Sequence, residues 1–410
     1  MRRVLMVAYH FPPLAGSSGI QRTLRFVQQL PQQGWEPIVL TANPLAYDQT
    51  SEDLLAEVPA QTPVYRAWAL NTSKHLAIAG RYMASMARPD RWVSWRLAAV
   101  PLGMHLIRKY RPELIWSTYP IATAHLIGAR LTARSGIPWV ADFRDPMAQH
   151  GYPADPETWR QFKQIETDAI RHAARSVFTT PGAADEYRRR YPEHANKITV
   201  IENGYDESSF SGAPSASSAL APGKFTLLHS GIVYPSERDP RPLFAALGRL
   251  KREGVMPADR WSIRFRASDN DEMLGELARK HDITDLITLL APVRYREALG
   301  EMLAADGLLV MQGRGCNAQI PAKAYEYIRA GRPILGLADP AGDTAGLLRS
   351  AGVQTLAALE DEAAVEGALR QFSEQLRSGR TSRPSDTVAR SHSREARTRE
   401  LAALFGQIAG

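Results

Sequence analysis

Cysteine is almost missing from this chain. A single Cys316 excludes an internal disulfide and any zinc site built on cysteine clusters, and it fits a reducing cytoplasm. Long apolar runs are missing as well, since none approaches the roughly 18–20 residues that a bilayer span requires. The apolar run Val4–Tyr9 behind Arg2 and Arg3 ends at His10 and the pair Pro12-Pro13. It is shorter than a secretory leader needs and reads as a strand. Neither G-x-G-x-x-G nor G-x-x-x-x-G-K-[ST] occurs after the first strand, and no acidic residue ends the second near Thr41. A dinucleotide enzyme and a P-loop ATPase therefore lack their phosphate and ribose contacts. Charge of one sign does not dominate either: 50 Lys and Arg stand against 43 Asp and Glu, a net +7. That balance favours anionic partners without naming one, and no nucleic-acid motif accompanies it, so nucleic acid is not expected as a partner.

What is present describes an ordinary globular chain: 410 residues, 44% apolar and 23% charged, long enough for two domains. Apolar, β-branched runs alternate with segments of helical periodicity. In the first half the runs are Val4–Tyr9, Pro37–Thr41, Val64–Trp68, Leu114–Thr118, Trp139–Phe143, Ser176–Thr180 and Ile198–Ile201. Ser208–Lys224, rich in Ser, Ala, Pro and Gly, reads as a linker. The rhythm then restarts at Phe225–Ser230, Ser262–Ser268, Ile287–Val293, Gly307–Gln312, Pro333–Ala338 and Val353–Leu356. This predicts an α/β protein with two doubly wound parallel sheets. The expected division is 1–207, linker 208–224, 225–384 and a helical end over 385–410 with a stripe of Leu401, Leu404, Phe405 and Ile408.

The stretch Gly313–Ala338 has the sharpest boundaries. Pro321 suits a first helical turn, Gly331 a C′ position, and Pro333 blocks continuation. A strand–loop–helix–strand unit results, with the loop at a strand's carboxyl end, where open α/β sheets bind ligands. The free N–H groups of the helix favour an anion such as a phosphate. Glu326, in the first turns, has the reach to hold ribose or sugar hydroxyls, and a solvated surface carboxylate is the plain alternative.

Other loops fall at matching strand ends. His10–Gly19 carries Gly16, Ser17, Ser18 and Gly19, which let backbone approach a ligand closely. Asp142, Arg144 and Asp145 follow the fifth strand, where three charges need pairing or a polar cleft. Gly231–Asp239 contains Arg238, whose planar fork suits a phosphate. Asp269 and Asp271 have the spacing of a metal-binding D-x-D but sit where a helix begins, and read as a cap with an acidic first turn; no metal is expected. Residues 81–111 hold seven Arg and Lys and one Asp, interleaved with Tyr82, Trp92 and Trp95, a mix suited to an anionic membrane surface or to a solvated basic face.

Taken in order, four stretches resemble glycosyltransferase family 4, the retaining transferases of GT-B fold: YHFPP with Gly16, Gly19, Gln21 and Arg22; IPWVADFRDP; VIENGYDESSF; and KAYEYIRAGRPILG. The second is similar to a branch of bacterial polysaccharide-assembly enzymes. The resemblance covers nearly the whole chain. It implies two Rossmann-like domains facing a central cleft, acceptor on the first and nucleotide-sugar on the second, with the terminal helix crossing back to the first. It implies no cofactor and no metal, so that Arg238, Lys323 and helix dipoles stabilise the leaving diphosphate. Glu326 matches the second glutamate of the family's E-x7-E motif, the one on the ribose. The first falls at Ala318, a departure that leaves Asn317 and Gln319 as substitutes on the transferred sugar. Gly16, Ser17, Ser18, Gly19 and Gly231 join the donor set. Arg144 stands where many members have histidine, and with His10, Asp142 and Asp145 it belongs to the acceptor side. The implied activity is transfer of a hexose from a nucleotide-diphosphate-sugar to a glycan, lipid-linked, at the cytoplasmic face of the membrane. A nucleotide-sugar epimerase and a degenerate, non-enzymatic GT-B scaffold are the alternatives.

Overall fold

A computed structural model describes residues 1–410 except 18, 78, 80 and 213–218. Ser18 and the middle of the expected linker thus lie outside the described residues. The chain divides into two compact units, Met1–Glu202 with Arg394–Gly410, and Asn203–Ser393.

The first unit holds seven strands: β1 Arg2–Val7, β2 Trp35–Ala42, β3 Val64–Ala67, β4 Leu114–Thr118, β5 Trp139–Arg144, β6 Arg175–Phe178 and β7 Ile198–Val200. Their order is β3-β2-β1-β4-β5-β6-β7, and every pairing is parallel. Helices cover both faces, so the central strands are buried on both sides and read as continuous apolar runs. Leu5 and Val7 enter the core on one face, and Val4 and Met6 that on the other, the period of two that a strand dictates. The terminal helix Arg394–Ala409 joins this unit. It buries Leu401, Leu404 and Phe405, and the Phe405 ring meets Trp35 edge-on at 5.3 Å.

The second unit repeats the design with β8 Phe225–Ser230, β9 Trp261–Arg266, β10 Ile287–Leu290, β11 Gly307–Gln312, β12 Ile334–Ala338 and β13 Leu356–Ala357. The order is β10-β9-β8-β11-β12-β13, again parallel throughout. All thirteen expected strands occur. The last shrinks to two residues, Leu356–Ala357, at the sheet's edge.

In each unit the strand order reverses beside the first strand, between β1 and β4 and between β8 and β11. Loops leaving neighbouring strands there diverge to opposite faces and open a crevice, the place where such sheets take ligands.

One expectation for 81–111 is corrected. The tryptophans do not present an aromatic surface. Trp95 is fully buried, and Trp92 lies 4.7 Å from the Tyr9 ring with its indole N–H on the Ala46 carbonyl at 3.0 Å. An indole contributes more to stability as core filling than at a wet surface. Among these aromatics only Tyr82 stays exposed.

Candidate functional site

The crevice of the second unit is built by the loops after β8 and β11. The helix Ala322–Ala330 starts directly after Pro321 and ends at Gly331 in the left-handed conformation (φ +64°). Tyr327 on it accepts the Ser230 N–H on its hydroxyl at 2.8 Å, which fixes the helix against the end of β8. Lys323, one turn earlier, is aimed across the same strand end. Its ammonium donates to His229 Nε2 at 3.1 Å, and His229 Nδ1 donates to the Leu309 carbonyl at 3.0 Å. Gly231 has φ +114°, and a Cβ there would lie 3.0 Å from Lys323 Nζ. Glycine is needed for both reasons.

Arg238 closes this cradle. Its Nη1 donates to the Ile232 carbonyl at 3.1 Å and its guanidinium lies over the Tyr234 ring at 5.3 Å. Its buried Nε has no partner. Burial, then the charge of Arg238, push the Lys323 ammonium down to about 7, with Glu326 opposing them. His229 is held well below its ordinary value by burial and then by Lys323. Glu237 lies 3.8 Å from Arg238 Nη2 and offsets part of this charge, and two cations beside a neutral imidazole still favour an anion. The electrostatics of the cradle thus suit an anion.

Glu326 is half-buried and accepts the Tyr295 hydroxyl on Oε1 at 2.7 Å. The Asn317 side-chain amide donates to Asp339 at 2.9 Å, and its backbone carbonyl accepts the Asp343 N–H at 2.8 Å. The Asn317 side chain thus braces the loop that begins at Asp339. Gln319 is exposed, with its carbonyl on the Thr344 hydroxyl at 2.9 Å.

Beside the cradle a cavity of about 540 Å³ is lined by Ile232, Ser268, Asp269, Asp271, Leu290 and Pro292. Ile232 belongs to both. Asp271 opens the helix Asp271–Lys280 and accepts the Ser268 hydroxyl, as the reading of a helix start implies. Among the described residues no group of three or more His, Cys, Asp or Glu could hold a metal ion. Sequence reasoning missed His229, Tyr295 and this cavity. A histidine inside an apolar strand, Leu227-Leu228-His229, was the available signal.

In the first unit, β5 carries a bulge between Asp142 and Arg144, and Arg144 takes φ +62°. The bulge turns Arg144 towards the β1–β4 crevice, with Nη1 3.4 Å from both the Gly19 and Tyr119 carbonyls. Its buried Nε lacks a partner. His10 Nδ1 meets the Ser17 hydroxyl at 3.1 Å, and that oxygen accepts the Gly19 N–H at 3.2 Å. A Cβ on Gly19 would lie 2.5 Å from His10 and 2.8 Å from Arg144, so glycine lets the three converge. Burial, then the Arg144 charge, push the His10 imidazole down to about 4. Gly16 supplies a left-handed turn (φ +75°), and Asp145 is exposed. Asp142 is the second correction. It is fully buried and receives Arg22 through two bonds of 3.0 Å and the Thr118 hydroxyl at 3.0 Å. Arg22 also holds the Ile201 and Glu202 carbonyls. Asp142 is a structural counter-ion, because a buried guanidinium needs one.

A family model described as a glycosyl transferase 4-like domain matches residues 18–204. That segment is similar to this family. No curated protein matches the chain. Solved structures agree over the whole length. Sucrose-phosphate synthase from Thermosynechococcus elongatus is 14% identical with a TM-score of 0.61, covering 100% of this chain and 96% of that one. HepE from Anabaena, in complex with UDP-glucose, is 12% identical with a TM-score of 0.60, covering 99% and 100%. A UDP-N-acetylglucosamine 2-epimerase is 15% identical with a TM-score of 0.55, covering 99% and 97%. The fold is thus GT-B, as the sequence resemblance implied.

Proposed function

We propose that this GT-B glycosyltransferase is a retaining, metal-independent hexosyltransferase that moves a sugar from a nucleotide-diphosphate-sugar to a lipid-linked glycan in cell-surface polysaccharide synthesis, working in the cytoplasm at the membrane's inner face. The observation that carries the reading is the pair Lys323 and Arg238 over neutral His229, at the strand-order reversal of the second unit. Fixed cations at a developing diphosphate leaving group stabilise the transition state without reorganising.

In this reading Lys323, Arg238 and the backbone at Gly231 hold the diphosphate. Glu326, oriented by Tyr295, takes the ribose hydroxyls, and the cavity from Ile232 to Pro292 takes the base. Gln319 faces the sugar. In the first unit the loop of Gly16, Ser17 and Gly19 keeps its phosphate role, and His10, Arg144 and Asp145 serve the acceptor. The acceptor oxygen bonds to the anomeric carbon on the face that the diphosphate leaves, and its proton passes to a phosphate oxygen of the leaving group. The protein supplies charge and position rather than a base.

The test is calorimetric binding of UDP-, GDP- and ADP-sugars to the full chain, followed by transfer assays with and without EDTA and by NMR of the product's anomeric centre. Binding, EDTA-insensitive turnover and retention are expected. Failure of every nucleotide-sugar to bind overturns the reading. Rapid release of free sugar without acceptor moves the assignment to an epimerase, and tight glycan binding without turnover moves it to a scaffold.

A further inference from the structure

Two neighbouring helices of the first unit share an unusual composition. Trp95–Tyr110 and Ala122–Ser135 have 16 and 14 residues and contain no Asp or Glu. They carry Arg96, Arg108, Lys109, Arg130 and Arg134. The chain has 43 acidic residues in 410, about one in ten, so some three carboxylates would be ordinary here. The helices pack closely: a Cβ on Gly103 would lie 2.8 Å from Leu131.

Between them runs a groove of about 500 Å³ lined by Arg96, Arg130 and Arg134 together with Leu97, Pro101 and Leu126. Leu97 is 66% exposed. Among the described residues none of the three guanidiniums has a hydrogen-bonded or ionic side-chain partner, whereas nearby arginines are neutralised: Arg88 by Asp155 at 3.0 Å and Arg91 by Asp48 at 3.1 Å. The sequence placed the basic surface in 81–111. The fold removes Arg88 and Arg91 from it and adds Arg130 and Arg134 from the next helix.

We infer that the groove between these helices docks the chain on a bilayer containing anionic phospholipid, with lipid phosphates on Arg96, Arg130 and Arg134 and the acyl boundary against Leu97 and Pro101. Charge alone would suit any polyanion. The exposed leucine and proline set among the arginines decide for a lipid surface, because only there do the guanidiniums meet phosphate while the apolar side chains leave water. The inference rests on the membrane-face reading above, and none of these residues belongs to the donor or acceptor set.

The experiment is co-sedimentation of the full chain with phosphatidylcholine vesicles and with vesicles containing 30% phosphatidylglycerol, at low and high salt. Binding to the anionic vesicles only, lost at high salt, is expected. Each arginine removed should weaken it about fivefold, and R130E/R134E, which reverses two charges, by more than tenfold. L97S should weaken vesicle binding several-fold and leave binding to charge-matched duplex DNA unchanged. These side chains are exposed, and melting temperature with nucleotide-sugar affinity reports that the variants are folded. Wild-type vesicle binding by R130E/R134E overturns the inference. So does tighter binding of DNA than of vesicles, which would make the groove a nucleic-acid surface. Displacement from vesicles by millimolar glycerol 3-phosphate at constant ionic strength also overturns it, assigning the groove to a free phosphate.

Discussion

Lys323 Nζ stands 3.1 Å from His229 Nε2, and a Cβ on Gly231 would lie 3.0 Å from the same nitrogen. The ammonium can donate there only while His229 is neutral, with its proton on Nδ1 facing the Leu309 carbonyl. Lys323→Met keeps the stem and removes the charge. A charge-assisted bond to phosphate contributes about 1.5–3 kcal/mol. K323M should therefore bind UDP roughly 10- to 100-fold more weakly than the wild type and bind uridine equally well, both read by calorimetry.

The same lysine gives binding a pH dependence. Its ammonium is pushed down to about 7 in the free protein, and a bound diphosphate draws the proton back. Affinity for UDP should fall as pH rises above 7, by up to tenfold per unit. Titrations near pH 8 in buffers of different ionisation enthalpy should show proton uptake. Stability has the opposite slope. Lys323 releases its proton near 7 when folded and at its ordinary higher value when unfolded, so between these limits the unfolded chain binds more protons and stability rises with pH. Below pH 7 the cost is full and constant. K323M should melt higher than the wild type at pH 6, by a margin that narrows as the pH climbs.

Gly231→Ala separates backbone from charge. Its φ of +114° is strained for any side chain, at a cost of about 1–3 kcal/mol, and the methyl displaces Lys323. G231A should lower the melting temperature and weaken UDP, whereas in a K323M background the loss of UDP affinity should be smaller because the two act on one contact.

Strands and crevices were legible because parallel strands buried on both faces leave uninterrupted apolar runs, and loops at their carboxyl ends are where glycine and charge collect. Glu326 and Gly331 could be placed from local signals. Partners could not. Arg22 reaches Asp142 across 120 residues, and Lys323 reaches His229 across 94. Nothing in a local pattern distinguishes a carboxylate lining a crevice from one neutralised beneath it. Trp95 misled for a related reason: an amphipathic segment shows which residues share a face, and the fold alone determines which face is covered. Arg130 and Arg134 joined the basic surface only once their helix lay beside Trp95–Tyr110.

The Arg22–Asp142 pair predicts a separation of stability from binding. Both side chains are buried, and removing one partner leaves the other charge uncompensated, a loss of about 3–5 kcal/mol. Arg22→Met and Asp142→Asn should each reduce the urea midpoint strongly. Affinity for uridine, whose proposed contacts all lie in the second unit, should stay at the wild-type value under native conditions.

Glu326 tests the ribose assignment atom by atom. Its Oε1 accepts the Tyr295 hydroxyl at 2.7 Å, which orients the carboxylate. A carboxylate accepting both ribose hydroxyls gains most when charged. Glu326→Gln should weaken UDP about tenfold or more, and the 2′,3′-dideoxy analogue should bind wild type and variant alike. Tyr295→Phe should give a smaller loss of the same kind, confined to nucleotides with a full ribose. Equal weakening of the dideoxy nucleotide by E326Q would place Glu326 on the phosphates or on Lys323 instead, because a ribose contact cannot be felt by a ligand that lacks the hydroxyls.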